Sequence, residues 1–145
     1  MPFDGALPRP THADADLVFG THTFGPLAIP PRPVMRRSRA DHEAIAVLTR
    51  ARELISEERH WCRGMYARAW FFLPVRPEFK AARRYCALGA IMRAAHELQL
   101  PTSRASAALK RQTGSLIPNW NDSPRRSHAE VLAAFDGALA GLKAA

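Results

Sequence analysis

Residues 85–92 read Tyr-Cys-Ala-Leu-Gly-Ala-Ile-Met, a run that is apolar on nearly every side of a helix. A helix that is apolar all round is buried, so this run predicts the central helix of a small protein. Apolar residues occupy one face and charged residues the other over residues 78–99, which are therefore predicted to form one helix. Gly89 costs about 1 kcal/mol relative to Ala inside a helix, and we expect it to permit close helix packing.

Three further helices are predicted around this central one. Residues 41–57 carry an apolar stripe at helical spacing, residues 103–112 form a shorter helix, and the Ser-x-x-Glu capping box at 127–130 opens the last. Residues 117–124 are predicted as a loop. Residues 71–73 could form a short strand but have no obvious partner, so any sheet is expected to be minimal. The prediction is an all-α domain, resembling a compact four-helix bundle.

The first forty residues differ in composition from the rest. Seven of the twelve prolines lie there and no helical period is visible. Proline fixes φ and removes a hydrogen-bond donor, so residues 1–40 are expected to form a Pro-rich arm that is extended or disordered. The arm ends in a basic cluster, Arg36, Arg37 and Arg39. Residues 41–145 are expected to form the one helical domain that a length of 145 residues indicates.

The charge balance favours acidic partners. Lys and Arg number 21 against 13 Asp and Glu, which gives a net charge of +8 and a pI of about 10.7. Nucleic acid, an acidic protein and an anionic membrane surface all fit such a chain. The abundance of Arg and Ala is also typical of a GC-rich bacterial genome, which produces such a charge without binding.

Membrane and secretory roles are not expected. No apolar run approaches the roughly 18 residues that a spanning helix needs, and no predicted helix combines a Lys/Arg face with exposed Trp or Phe. The first residues lack the basic and apolar regions of a secretory signal. A cytoplasmic location follows, where Cys62 and Cys86 would be reduced.

Four short motifs occur in order along the helical part. They are Trp61-Cys62-x-Gly64, Tyr85-Cys86-Ala-Leu-Gly89-Ala90, Trp120-Asn121-Asp122 and His128-x-Glu130-Val131. Together they resemble an uncharacterised bacterial domain family with WCxG, CALGA and WND…HxEV segments, over roughly residues 45–142. No activity is attached to that family, so the resemblance implies domain boundaries and no mechanism.

Most of these motif residues have an architectural interpretation. The two tryptophans are apolar anchors, Asn121 and Asp122 are turn formers, and cysteine often lies in a core. The alternative is a thiol-dependent enzyme, since a nucleophilic Cys62 would need His128 as base and Asn121 or Asp122 to orient it. No signature around the cysteine supports this alternative, so no catalytic residue is assigned.

A metal site is the third interpretation of the same residues. His60 and Cys62 would form a first pair of ligands, but Cys86 and His128 are isolated, whereas structural zinc sites usually have close pairs at both ends. We therefore expect neither a metal ion nor a cofactor.

A helix-turn-helix over residues 95–111 is a more specific hypothesis about function. Small or apolar residues fall there at the spacing of that motif, and the second helix would present Arg104, Lys110 and Arg111 to phosphates and base edges. Gln99 replaces the usual turn glycine and Pro101 lies inside the turn, which both weaken the match. The sequence thus predicts a small non-enzymatic binding or regulatory protein, with nucleic acid or an acidic protein as its partner. Its oligomeric state stays open.

Overall fold

The structure is a computed structural model that describes residues 25–31 and 36–145. Residues 25–31 form neither helix nor strand. The predicted arm over residues 1–40 therefore lies largely outside the described residues. Among the described helices, none is long and apolar enough to cross a membrane.

Helices and a small sheet make up residues 36–145. The helices of this described part are α1 (Arg39–Leu54), α2 (Ala87–Leu98), α3 (Ser103–Thr113), α4 (Ile117–Asn121) and α5 (His128–Ala144). The strands are β1 (Ala67–Arg68), β2 (Pro74–Val75) and β3 (Arg84–Tyr85). The prediction of a mostly helical protein is confirmed. The all-α class is wrong because the strands form an antiparallel sheet of order β2-β1-β3, and the four-helix bundle is not confirmed.

Helix α1 begins at a side-chain cap. The Ser38 hydroxyl accepts a hydrogen bond from the backbone N–H of Asp41 at 3.1 Å, which satisfies one of the free donors of the first turn. The Asp41 carboxylate in that turn also complements the helix dipole. In the apolar stripe, Val47, Leu48 and Ala51 are fully buried, as the helical spacing predicts, and Ile45 and Leu54 are partly buried.

Helix α2 is shorter than the predicted helix over residues 78–99. It begins only at Ala87, because the residues before it pair with other segments: Arg84 and Tyr85 form β3, and the Cys86 N–H donates to the Tyr66 carbonyl at 3.0 Å. Cys86 is the N-cap, and its sulfur accepts from the Gly89 N–H at 3.3 Å.

Gly89 allows a close approach, but its neighbour is not another helix. A Cβ at this position would lie 1.8 Å from the carbonyl oxygen of Tyr66, just before β1. The expected close packing is therefore present, and the expected helix partner is replaced by loop backbone. Gly89 thus fixes how near α2 lies to the sheet.

The second half of the chain is helical almost throughout. Gln99 follows α2 in the left-handed region at φ 54°, and α3 ends at Gly114 with φ 70°. Helix α4 replaces the loop predicted over residues 117–124, and Pro118 suits its first turn because that turn needs no backbone donor there. The predicted capping box of α5 is present. The core lies between α1, α2, α3 and α5, where large side chains are fully buried: Leu48, Ile55, Ile91, Leu109, Val131, Phe135 and Leu142.

Strands β1 and β2 form a hairpin. Ala67 pairs with Val75 and Arg68 with Pro74, and residues 69–73, here called the hairpin loop, connect the two strands. The strand expected over residues 71–73 is therefore wrong, since these residues belong to the connection. Two-residue strands leave no alternating pattern in a sequence, so their positions cannot be predicted from periodicity.

Candidate functional site

Asn121 is the polar centre of the region where the sequence motifs meet. Its side chain is fully buried and its oxygen accepts from Trp61 Nε1 at 2.8 Å and from the Ala87 N–H at 3.1 Å. Its Nδ2 donates to the carbonyl of Cys62 at 3.1 Å. Asp122 extends the group, because its Oδ1 accepts from Asn121 Nδ2 and from the N–H of Gly64, both at 2.9 Å. We call Trp61, Cys62, Ala87, Asn121 and Asp122 the asparagine network.

The environment of Cys62 favours the thiol over the thiolate. Its side chain is buried and its Sγ donates to the Met65 carbonyl at 3.6 Å. Burial raises the pKa of the Cys62 thiol to about 12, and the nearby Cys86 contributes to the rise. Burial raises the pKa of Cys86 as well. A nucleophilic cysteine needs a lowered pKa, so these surroundings do not favour catalysis.

His128 lies in the same region but has other partners. Its Nε2 is 2.6 Å from the Ile55 carbonyl oxygen, and its ring centroid is 6.0 Å from that of Trp61. Within the described residues, no hydrogen bond joins His128 to Cys62 or to Asp122. The thiol-enzyme alternative stays a prediction, and these contacts are those of residues that hold the fold together.

The possible metal ligands predicted from the sequence are His60, Cys62, Cys86 and His128. Over residues 25–31 and 36–145, no group of three or more His, Cys, Asp or Glu side chains could hold a metal ion. His60, the first member of the proposed pair, lies in a short turn before Trp61 and lines a cavity described below.

Two of the three basic residues predicted from sequence at the start of α1 bond to other residues of the domain. Arg37 donates to the carbonyl of Lys143 at 2.5 Å, and Arg39 forms an ion pair with Glu43 at 2.8 Å. Arg36 is exposed. These three residues lie together, as their sequence adjacency requires.

Helix α3 carries the other predicted group. Arg104 is bound to Asp41 at 2.7 Å, and this guanidinium, followed by Ser38, holds the pKa of the Asp41 carboxyl below its usual value. Lys110 and Arg111 are exposed and have no ion pair within the described part of the chain. Of the three α3 residues, Arg104 thus connects α3 to α1, and the other two remain open to a partner.

The turn between α2 and α3 accommodates Gln99 and Pro101, the two residues that depart from the helix-turn-helix pattern. Gln99 adopts the left-handed conformation that glycine usually supplies, and Pro101 lies between the helices rather than within one. Four residues separate α2 from α3, which is a length found in helix-turn-helix proteins. The helix-turn-helix assignment itself stays a prediction.

The largest net charge lies elsewhere, in residues 59–84, which we call the hairpin segment. It contains seven Lys or Arg residues and one acidic residue, Glu78, so it carries +6 of the chain's net +8. Arg59 pairs with Glu57 at 2.7 Å. The other six have no carboxylate partner among the described residues: Arg63, Arg68, Arg76, Lys80, Arg83 and Arg84.

The hairpin loop adds exposed aromatic side chains to this charge. Trp70, Phe71 and Phe72 are 71%, 89% and 59% exposed. The guanidinium carbon of Arg84 lies 4.9 Å from the centroid of the Phe72 ring, a cation–π distance. A cavity of about 520 Å³ opens beside the loop. Its lining consists of the three aromatic residues, Ala69 and four basic side chains, Arg59, His60, Arg83 and Arg84.

The sequence prediction did not identify this surface. The aromatic run was visible over residues 61–79, but nothing in its spacing showed whether the rings are buried or exposed. The available signal was the local excess of arginine around aromatic residues that follow no helical period, a combination that is uncommon in a core.

The comparisons with known proteins concern the domain as a whole. A model of DUF6197, a family of unknown function, matches residues 39–140. No curated protein matches the chain, and no solved structure matches it. The expectation of an uncharacterised domain family is confirmed, while the motifs and the bacterial origin of that family stay predictions. Because the match spans more than half of the chain, the protein belongs to DUF6197.

Proposed function

We propose that this chain is a non-enzymatic protein that binds nucleic acid, with the hairpin segment as its contact surface. The observation that carries the proposal is that residues 59–84 hold +6 of the chain's net charge of +8. A basic surface attracts the phosphate backbone and releases condensed counterions when it binds. The proposal keeps the nucleic-acid partner predicted from the sequence and changes the surface that meets it.

The ion pairs support the hairpin segment over the helices. Carboxylates already neutralise the helical arginines other than Arg111, as Asp136 does for Arg52 at 2.6 Å and Asp41 does for Arg104 at 2.7 Å. In the hairpin segment, six of the seven cations have no carboxylate partner among the described residues. Arg63, Arg68 and Arg83 donate to backbone carbonyls, but none of the six has to break an ion pair before it binds a phosphate.

The test is fluorescence anisotropy of a labelled 25-mer, single-stranded or duplex, titrated with the protein at low and near-physiological salt. Binding should fall steeply with salt, with a logarithmic slope of about 0.9 per phosphate contact on duplex DNA. A chain that fails to bind either ligand at low salt would refute the proposal.

Two double variants that each remove two charges decide between the surfaces. Arg76→Gln with Lys80→Gln acts on the hairpin segment, and Lys110→Gln with Arg111→Gln acts on α3; all four residues are exposed. We expect the first pair to weaken binding and to lower the salt slope by about 2, and the second pair to have the smaller effect. A larger loss from the α3 pair would reject the hairpin segment and favour the helix-turn-helix surface.

A further inference from the structure

We infer that the hairpin loop is a stacking site for unpaired nucleobases, so that the preferred ligand is a single-stranded nucleic acid. This inference rests on the proposed function and names the substrate class. Phosphate contacts alone do not distinguish a single strand from a duplex, and a stacking site does, because a duplex keeps the faces of its bases inside the helix.

The exposure of the aromatic residues is the first support. Phe71 is 89% exposed and Trp70 71%, although large aromatic side chains normally lose most of their contact with water on folding. These rings therefore add little to the core. Contiguous exposed apolar residues on a folded protein typically mark a surface that binds a partner.

The backbone of the loop gives a second, independent support. Phe71 and Phe72 have φ values of 62° and 63°, in the left-handed region that Gly and Asn adopt more readily than bulky residues do. Neither burial nor backbone preference accounts for an aromatic residue at position 71. A ligand that contacts the ring does account for it.

The cavity beside the loop has the chemistry of a nucleotide. Aromatic rings line one part of it and the basic side chains of Arg59, His60, Arg83 and Arg84 line the rest, with no carboxylate among the described lining residues. Its volume of about 520 Å³ lies in the range typical of sites for small ligands. Bases stack on aromatic faces and on guanidinium planes, and arginine binds phosphate.

The concave shape favours a nucleic acid over a membrane surface. A lipid surface would also attract aromatic residues next to arginines. However, one part of the site is a cavity between rings and guanidinium groups, and the Phe72 ring is already covered by Arg84. Such a site suits a flat, charged ligand that enters it. A lipid surface would contact the exposed rings of Trp70 and Phe71 and leave this concave part unoccupied.

The experiment measures the affinity of the full chain for a mixed-sequence 12-mer DNA strand and for the duplex of the same sequence. The wild type should bind the strand at least tenfold more tightly. Phe71→Asn should lower the affinity for the strand by about five- to hundredfold, the range found on loss of one stacked base, and change the affinity for the duplex less than twofold. Leu116→Asn is the matched control, since Leu116 is also exposed but lies at the start of α4.

Three other outcomes would each overturn the inference in a different way. If neither ligand binds at low salt, the proposed function fails together with it. If strand and duplex bind equally well and Phe71→Asn changes nothing, only the stacking site is refuted and the proposed function stands. If vesicles of phosphatidylcholine and phosphatidylglycerol bind more tightly than the strand, and Phe71→Asn abolishes that binding, the loop is a membrane contact.

Discussion

The asparagine network shares Trp61 and Cys62 with the hairpin segment, but the polar groups of the two regions differ in whether they have partners. In the network, the side chain of Asn121 is completely buried and both of its polar atoms have partners. In the hairpin segment, six cations have no carboxylate partner among the described residues, and three aromatic rings face solvent. The difference indicates that the network stabilises the fold, whereas the exposed hairpin loop and the charges beside it are the surface proposed to bind a partner.

The same contrast separates the two sets of arginines. On the helices, Arg50 and Arg93 share Glu97, each at 2.7 Å. Exposed ion pairs of this kind contribute little to stability, typically less than about 1 kcal/mol each. Their more important effect is that they leave few positive charges on the helices for a ligand. The sign of a region's charge is therefore less informative than whether that charge is already paired.

The largest expected effect concerns the reactivity of Cys62. With a pKa of about 12, its thiolate is roughly a thousandfold scarcer near neutral pH than that of a cysteine whose pKa is near 9. Iodoacetamide should therefore modify the folded protein far more slowly than the protein in urea, which mass spectrometry can follow. Rapid alkylation of folded Cys62 would contradict a purely structural role for the network, since the network would then contain a reactive group.

The same pKa gives a pH dependence of stability. The folded state keeps the Cys62 proton that the unfolded state releases above pH 9, so the free energy of unfolding should fall as the pH rises from 9 towards 12. In Cys62→Ala this part of the fall should be missing. Urea titrations of both proteins across this pH range measure the difference.

The next effect is the loss of the network itself. Asn121→Leu leaves Trp61 Nε1 and the Ala87 N–H buried without an acceptor, at about 1–3 kcal/mol for each group. We expect a destabilisation of about 3–5 kcal/mol in urea denaturation. Asn119→Leu is the control on the same helix, where the exposed side chain should change stability by less than about 0.5 kcal/mol. Equal effects of the two variants would contradict the role of the network.

A smaller loss is expected from Gly89→Ala. The added Cβ would collide with the Tyr66 carbonyl, so α2 and the start of the hairpin must move apart, at about 1–3 kcal/mol. Gly141→Ala on α5 meets nothing within 4 Å and should instead stabilise the protein by about 0.5–1 kcal/mol. The opposite signs, read as shifts of Tm, test the closeness of α2 to the sheet.

The smallest effect lies in the hairpin loop. Phe71→Asn removes an exposed ring from a left-handed position that Asn tolerates better, so stability should stay constant or rise by up to about 1 kcal/mol. Calorimetry of the variant and the wild type measures this. A destabilisation of more than about 1 kcal/mol would show that Phe71 supports the fold, which would remove the contrast between the two regions.

Sequence patterns predicted the elements whose stability is local. The stripe of α1, the short α3 and the capping box at Ser127 depend on residues three or four positions apart, and the structure has all three. The predicted helix over residues 78–99 failed at its first half, because Cys86 pairs with the distant Tyr66 and not with its own helical turn.

The asparagine network and the pairing of the arginines were harder to predict from the sequence, for the same physical reason. Asn121 followed by Asp122 has the composition of a turn, and only tertiary contacts make it a buried centre. Arg104 resembles a free cation until Asp41 is placed beside it. Whether a polar group is already paired depends on residues far along the chain, which spacing and periodicity do not report.

The sequence separations between Asn121 and its hydrogen-bond partners also bear on the order of folding. Its partners Trp61 and Cys62 lie 60 and 59 residues before it, and Ala87 lies 34 residues before it. Contacts this distant require closure of long loops, whose entropy must be overcome before the bonds form. Helical turns within α1, α3 and α5 need no such closure. The asparagine network should therefore complete after these helices, and the Asn121 bonds should be among the last to form as the chain reaches its native state.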